Sequence, residues 1–377
     1  MFRTRTPCVS PDSGTAPPAR IAARFGPTLP KIGLAFLALS VALAGAEVAV
    51  RVLAPVSSTP LCAPDPLYGW RLRPNQVFRY FKPGDTPHPI SGRINGQGWR
   101  DNETSLAKPK GVYRVAILGD SYVEAVQVEI EKRFDALAEA ALNGSLPMRV
   151  EMLTFGVSGW GQAQEYLALT HDVERYSPDM VILFFNPAND ISDEAPETNG
   201  NALSPYPRVN GKGDLYIDAS FNSTGRFKLK RWIHAVRRRS AMFTLVFDRV
   251  KGLIDQRASP RPKKGQTLDG YLTLCTSHPD PQHAGNYELS KLVIRQMAAY
   301  CKSRDIPFML VCLNTIYRPE MVDEYRALDG SFDADFFSRD MEAFSGRLGI
   351  AHLDLQQPFR EFYRKTGASL HWGHWND

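Results

Sequence analysis

Five cysteines in 377 residues are too few for a disulfide framework. Cys8, Cys62, Cys275, Cys301 and Cys312 are scattered, and none falls into the paired Cys/His spacing that holds zinc, so no metal is expected. Cys301 and Cys312 lie in segments that read as core helix and core strand, where a free thiol serves as a small apolar side chain. Export from the cytoplasm would leave a Cys62–Cys275 disulfide as an option. Internal repeats are lacking too. Excess charge is scarce: the net of +5 sits largely in the N-terminal tail and one internal basic stretch, which gives nucleic-acid binding little support. What remains is an ordinary globular balance, 43% hydrophobic and 23% charged, consistent with one large domain and its appendages.

Residues 1–30 are rich in Pro, Ala, Arg and Ser without hydrophobic periodicity and read as a disordered cytoplasmic tail. Residues 32–46 (IGLAFLALSVALAGA) carry no charge. The apolar stretch extends to 53 if Glu47 and Arg51, four apart on one helical face, pair with each other, which makes 31–53 long enough to span a bilayer. Arg3, Arg5, Arg20, Arg24 and Lys31 precede it against a single Asp12, so the positive-inside bias leaves everything after Pro55 outside. A cleaved signal peptide is the competing reading, because Ala42-Leu43-Ala44 resembles a small-residue cleavage site. Continued apolar character to Leu53 favours the anchor, and either reading exports the remainder.

Residues 55–110, rich in Pro, Gly, Asn and aromatics, read as short strands and turns of a cap or linker. From 111 to 377 strands and helices alternate, the signature of an α/β domain with a parallel sheet. Strands are expected at 114–118 (RVAIL), 149–155, 179–185 (DMVILFF), 307–313 and 350–355, with helices at 134–142, 162–176, 283–303 and 334–347. The expected fold is a flavodoxin-like three-layer α/β/α domain with about five parallel strands, preceded by one transmembrane helix. An insertion at 191–283 interrupts the rhythm and contains a basic amphipathic helix over 228–256. That helix is either a solvated element docked by one face or a lid that touches anionic lipid head groups or an acidic polymer.

Ligands of such sheets bind where strands lead into helices. A serine hydroxyl needs a base within reach and donors aimed at the developing oxyanion. Gly119-Asp120-Ser121 follows the first strand and offers Ser121 as nucleophile. Gly159, in GVSGWG after the second strand, lets a backbone N–H approach a ligand, and Asn189, in NPAND after the third, offers a side-chain amide. His374, in the closing LHWGHWND, can take the Ser121 proton. Each alone has an ordinary structural explanation as a turn glycine, helix cap or exposed histidine.

In order, Ser121, Gly159, Asn189 and His374 resemble the four signature blocks of the SGNH (GDSL) hydrolase superfamily over residues 111–377, the insertion excepted. The anchor, the Gly69-Trp70 and Asn95-Gly96-Gln97-Gly98 turns and the run RVAILGDSYVEAVQV resemble its membrane-anchored bacterial envelope members. The resemblance implies Ser121 as nucleophile and His374 as base, with Ser121, Gly159 and Asn189 forming the oxyanion hole and no cofactor. It implies a carboxylic ester hydrolase acting on O-acyl, foremost acetyl, esters of envelope carbohydrate or lipid, single-pass in a bacterial inner membrane with its catalytic domain in the periplasm. An O-acyltransferase with the same Ser-His chemistry and a non-catalytic envelope binding protein are the alternatives. The family's usual Asp three residues before the catalytic His is His371 here, and the sequence stops at Asp377 where relatives generally continue, which leaves open whether the chain is truncated. Asp354 is a candidate substitute orienter or, equally, a cap.

Overall fold

The computed structural model describes residues 28–53, 61–82, 85–258 and 267–370. Cys8 and most of the expected tail, like His371 and His374, lie outside the described residues. Five apolar runs form one sheet: β1 (Val112–Gly119), β2 (Arg149–Gly156), β3 (Met180–Phe185), β4 (Phe308–Cys312) and β5 (Ala351–Asp354). Their spatial order is β2-β1-β3-β4-β5, with every pairing parallel. This is the flavodoxin-like doubly wound order, whose switch point lies between β1 and β3.

Besides a short turn of helix at Pro196–Asn199, the helices are α1 (Thr28–Leu53), α2 (Ser121–Glu124), α3 (Phe134–Ser145), α4 (Gln162–His171), α5 (Pro187–Asp193), α6 (Gly225–Arg237), α7 (Ala241–Ala258), α8 (Pro281–Lys302), α9 (Pro319–Leu328), α10 (Phe336–Leu348) and α11 (Gln356–Thr366). Alternate residues of each strand serve opposite faces. Leu118, Phe155, Leu183 and Leu310 pack with residues of α4, α8 and α10, while Ile117, Val150, Phe184 and Val311 pack with Phe134 and Leu142 of α3. Burial on both faces explains why the central strands β1, β3 and β4 read as apolar runs, whereas the edge strand β5 is partly exposed. Each buried Leu contributes about 2 kcal/mol.

Ahead of the sheet, Cys62–Asp65 pairs with Gly69–Leu72 and Val77–Lys82 with Asp85–Arg93, both antiparallel. Tyr68, Leu72, Ile94 and Trp99 enter the main core, where the Tyr68 ring stacks on Trp160 at 4.8 Å. Cys62 and Cys275 are free thiols, not a disulfide. Cys62 lies on the first hairpin beside Lys230, whereas Cys275 is buried with its carbonyl bonded to Asp333.

α1 is long and apolar enough to cross a bilayer, and none of Lys31–Leu53 is buried. Its helix starts at Thr28, three residues inside the expected tail. The anticipated Glu47–Arg51 pair forms at 2.8 Å. Glu47 also accepts from Ser240 Oγ (2.8 Å), Ala241 N (2.7 Å) and Met242 N (3.1 Å), and Arg51 donates to the Arg239 carbonyl (2.9 Å). These bonds explain a correction: the single basic helix expected over 228–256 is two helices, α6 and α7. Ser240 Oγ accepts from Phe243 N at 3.0 Å, and Glu47 meets the other unpaired amides of the new N-terminus.

Candidate active site

β1 ends at Gly119, where a Cβ would come within 2.5 Å of Val123 and 3.2 Å of Phe184, so only glycine lets the chain turn tightly into α2. Asp120 caps α2: its Oδ1 accepts from Tyr122 N at 2.8 Å. Ser121 opens the helix and is 6% exposed. α2 closes after one turn at Ala125, whose φ of 47° lies in the left-handed region. The buried Arg100 guanidinium, from the turn after Asn95-Gly96-Gln97-Gly98, donates to the carbonyls of Glu124 (2.9 Å), Ala125 (2.6 Å) and Val128, and so ties down the end of α2.

The next exit loop is locked to this turn. Trp160 N donates to the Val157 carbonyl at 3.1 Å, with Gly159 in the third position of the turn at φ 77°, a conformation that selects glycine. The buried Glu124 carboxylate accepts from Ser158 N at 2.5 Å and from Ser158 Oγ. Burial pushes the Glu124 carboxyl up, while the Ser158 bonds and Arg100 draw it down. From the opposite side, Trp70 Nε1 donates to the Ser158 carbonyl at 3.1 Å, and Trp160 Nε1 returns a bond to the Trp70 carbonyl at 3.0 Å. The Ser158 carbonyl and the Gly159 N–H belong to one trans peptide and point in opposite directions. Trp70 therefore sets the direction of the Gly159 N–H without touching it. Trp70→Phe keeps the ring and removes this bond; kcat on an ester should fall about 10-fold with KM little changed. Steady-state kinetics check this, and a change in KM alone would contradict it.

The third exit follows β3. Asn186 caps α5 through Ala188 N (3.2 Å), with Pro187 at the first helical position, a signature present in the sequence but read there as loop. Asn189 sits in the first turn and donates to Asp120 Oδ2 at 2.7 Å; Asn186 Nδ2 reaches the same oxygen at 3.4 Å. A primary amide carries two donors, so this bond fixes the Asn189 amide beside the Gly119-Asp120-Ser121 turn without using its full capacity.

Asp190, Asp193 and Glu194 follow on and just after α5, and α4 contributes Glu165. Glu165 and Asp190 are completely buried. Burial, then the charge of neighbouring carboxylates, pushes both well up; Asp193 rises to about 7 and Glu194 to about 8. The folded chain therefore holds protons there that the unfolded chain has already released, and the stability they contribute is lost as pH rises through 7 to 8. The melting temperature of the detergent-solubilised chain should fall by roughly 4–8 °C from pH 6 to 9, an order-of-magnitude figure for about 2 kcal/mol. An unchanged or rising melting temperature would contradict it.

At the fourth exit, Asp354 accepts from Ser338 Oγ (3.0 Å) and from the Gln356 backbone, so its carboxylate ties α10 to the start of α11. The chain then returns toward Ser121. Leu370 packs on the cluster of Tyr122, Leu313, Tyr317 and Phe359, and its N–H donates to Tyr317 Oη at 3.0 Å. The strand exits thus gather Ser121, Gly159 and Asn189 at the switch point, and residue 370 reaches Tyr317, which shares a cluster with Tyr122. Among the described residues, no group of three or more His, Cys, Asp or Glu is arranged to hold a metal. Arg100, Glu124 and Trp70 escaped the sequence reading because each acts through a backbone group 24 to 88 positions away.

No family model and no curated protein matches the chain. Solved structures similar to it include a GDSL-like lipase from Bacteroides thetaiotaomicron (15% identity, 68% of this chain and 74% of that one, TM-score 0.30). Others are the acetyl xylan esterase AlAXEase (14%, 70% and 91%, TM-score 0.37) and the psychrotrophic esterase EstA from Pseudoalteromonas sp. (10%, 70% and 87%, TM-score 0.33). The fold class rests on the strand order itself.

Proposed function

We propose that the chain is a serine ester hydrolase of the SGNH type, removing O-acyl groups, foremost acetyl, from envelope carbohydrate or lipid outside a bacterial inner membrane. The observation that carries this reading is the convergence of Ser121, the Gly159 turn and the Asn189 amide on adjacent strand exits, joined through Glu124 and Asp120. Leu370 supports His374 as the base, since four further residues reach up to about 14 Å from a point on the cluster of Tyr122 and Tyr317.

In the proposed reaction Ser121 Oγ attacks the ester carbonyl carbon as His374 takes its proton. The carbonyl oxygen becomes an oxyanion received by the Ser121 and Gly159 N–H groups and the Asn189 amide. Collapse expels the alcohol, which takes the proton from His374, and leaves an acyl-Ser121 ester. Water, deprotonated by His374, then releases the acid and restores the serine. α1 acts as the anchor, its basic flank in the cytoplasm.

Acetate release from p-nitrophenyl acetate and from an O-acetylated oligosaccharide by the full chain in detergent tests the reading. Hydrolysis of both is expected; no release from either would contradict it. Acetate appearing on an added unacetylated oligosaccharide, in place of free acid, would make the chain a transferase and overturn the hydrolase assignment.

A further inference from the structure

A trough of about 550 Å³ runs between α6, α7 and the first hairpin. Leu229, Ile233, Phe247 and Trp70 make its apolar walls, and Arg226, Lys230, Arg237 and Lys251 stand around it. The size and lining suit an elongated apolar ligand carrying negative charge. Basic groups are crowded here: Arg237 pairs with Asp248 at 2.6 Å, yet its Nε, together with the neighbouring Arg73 NH1, is buried without a hydrogen-bond acceptor among the described residues. Burial and mutual repulsion among Arg73, His234 and Arg238 hold Arg73 and His234 below their ordinary values. Basic side chains gathered along one apolar trough favour an anionic ligand over a neutral one.

The trough also lies where the membrane would be. Glu47 and Arg51, near the end of α1, bond to residues 239–242 between α6 and α7. Val246, Val250 and Leu253 follow one another on one face of α7 and are half or more exposed, as are Leu229 and Trp232 on α6. An apolar helical face flanked by Arg and Lys beside a spanning helix is the pattern of an element lying in the bilayer interface.

We propose that this trough binds one anionic phospholipid of the outer leaflet, an acyl chain against Leu229, Ile233 and Phe247 and the phosphate at Arg226 and Lys230, one helical turn apart at the start of α6. The proposal rests on α1 being a membrane anchor. The probe is native mass spectrometry of the full chain in neutral detergent with equal phosphatidylglycerol or phosphatidylcholine. Wild type should retain one phosphatidylglycerol and at least about 10-fold less phosphatidylcholine. The Arg226→Glu/Leu229→Asp variant should lose at least about 10-fold of the retained phosphatidylglycerol, while Arg364→Glu on α11 keeps it. Should the double variant fail to unfold cooperatively, the exposed Arg226→Gln change alone is decisive, with about a threefold loss expected.

Equal retention of the two lipids, retention unaffected by the α6 changes, an equal loss in Arg364→Glu, or a dimer that excludes lipid would each overturn the proposal. Alkaline carbonate extraction of membranes tests the anchor separately. Release of the chain would overturn the anchor reading, and lipid retention by the purified chain would still test the trough on its own.

Discussion

Replacing Ser121 by Ala is expected to lower kcat/KM on p-nitrophenyl acetate by about 10⁴-fold, roughly 5.5 kcal/mol of barrier, with the melting temperature nearly unchanged. The side chain lost is one hydroxyl at the start of a one-turn helix. That helix is held by Asp120 at its first turn and by Arg100 at its last, and neither bond involves the Ser121 hydroxyl. The turn should persist while covalent catalysis is removed, and the residual rate would come from the oxyanion donors alone. Equal rates in variant and wild type would remove Ser121 from the mechanism.

Replacing His374 by Ala is expected to cost about 10³-fold in kcat, because Ser121 would lose the group that accepts its proton. His374 follows Leu370 by four residues, and at Leu370 the chain reaches the cluster of Tyr122 and Tyr317. His371 precedes His374 by three residues in the sequence, and Asp354 is engaged with Ser338 and Gln356. Imidazole added to the variant should restore part of the rate. A His374→Ala enzyme with wild-type kcat, measured alongside Ser121→Ala, would require a different base.

The sheet was legible in the chain because its central strands are buried on both faces, so 114–118 and 179–185 appear as uninterrupted apolar runs. The candidate residues at the strand exits were legible for a related reason: a parallel sheet gathers its loops at one end, wherever they fall in sequence. The break between α6 and α7 was not: Arg238-Arg239-Ser240 contains neither Gly nor Pro, and although Ser240 caps α7, the remaining amides of that N-terminus are met by Glu47, nearly 200 positions earlier. Trp70 and Glu124 were missed likewise. Their partners are backbone atoms of Ser158, which no residue pattern marks. Asn189 is a candidate from its loop position alone, but its bond to Asp120, which couples two exits, required the fold.

The most direct test of the central claim is covalent trapping. A fluorophosphonate should phosphonylate Ser121 Oγ with loss of fluoride, and peptide mass spectrometry of the inactivated chain should find one adduct, on the peptide carrying Ser121. Ester hydrolysis that continues with Ser121 unmodified, or an inactivating adduct on another residue, would contradict it.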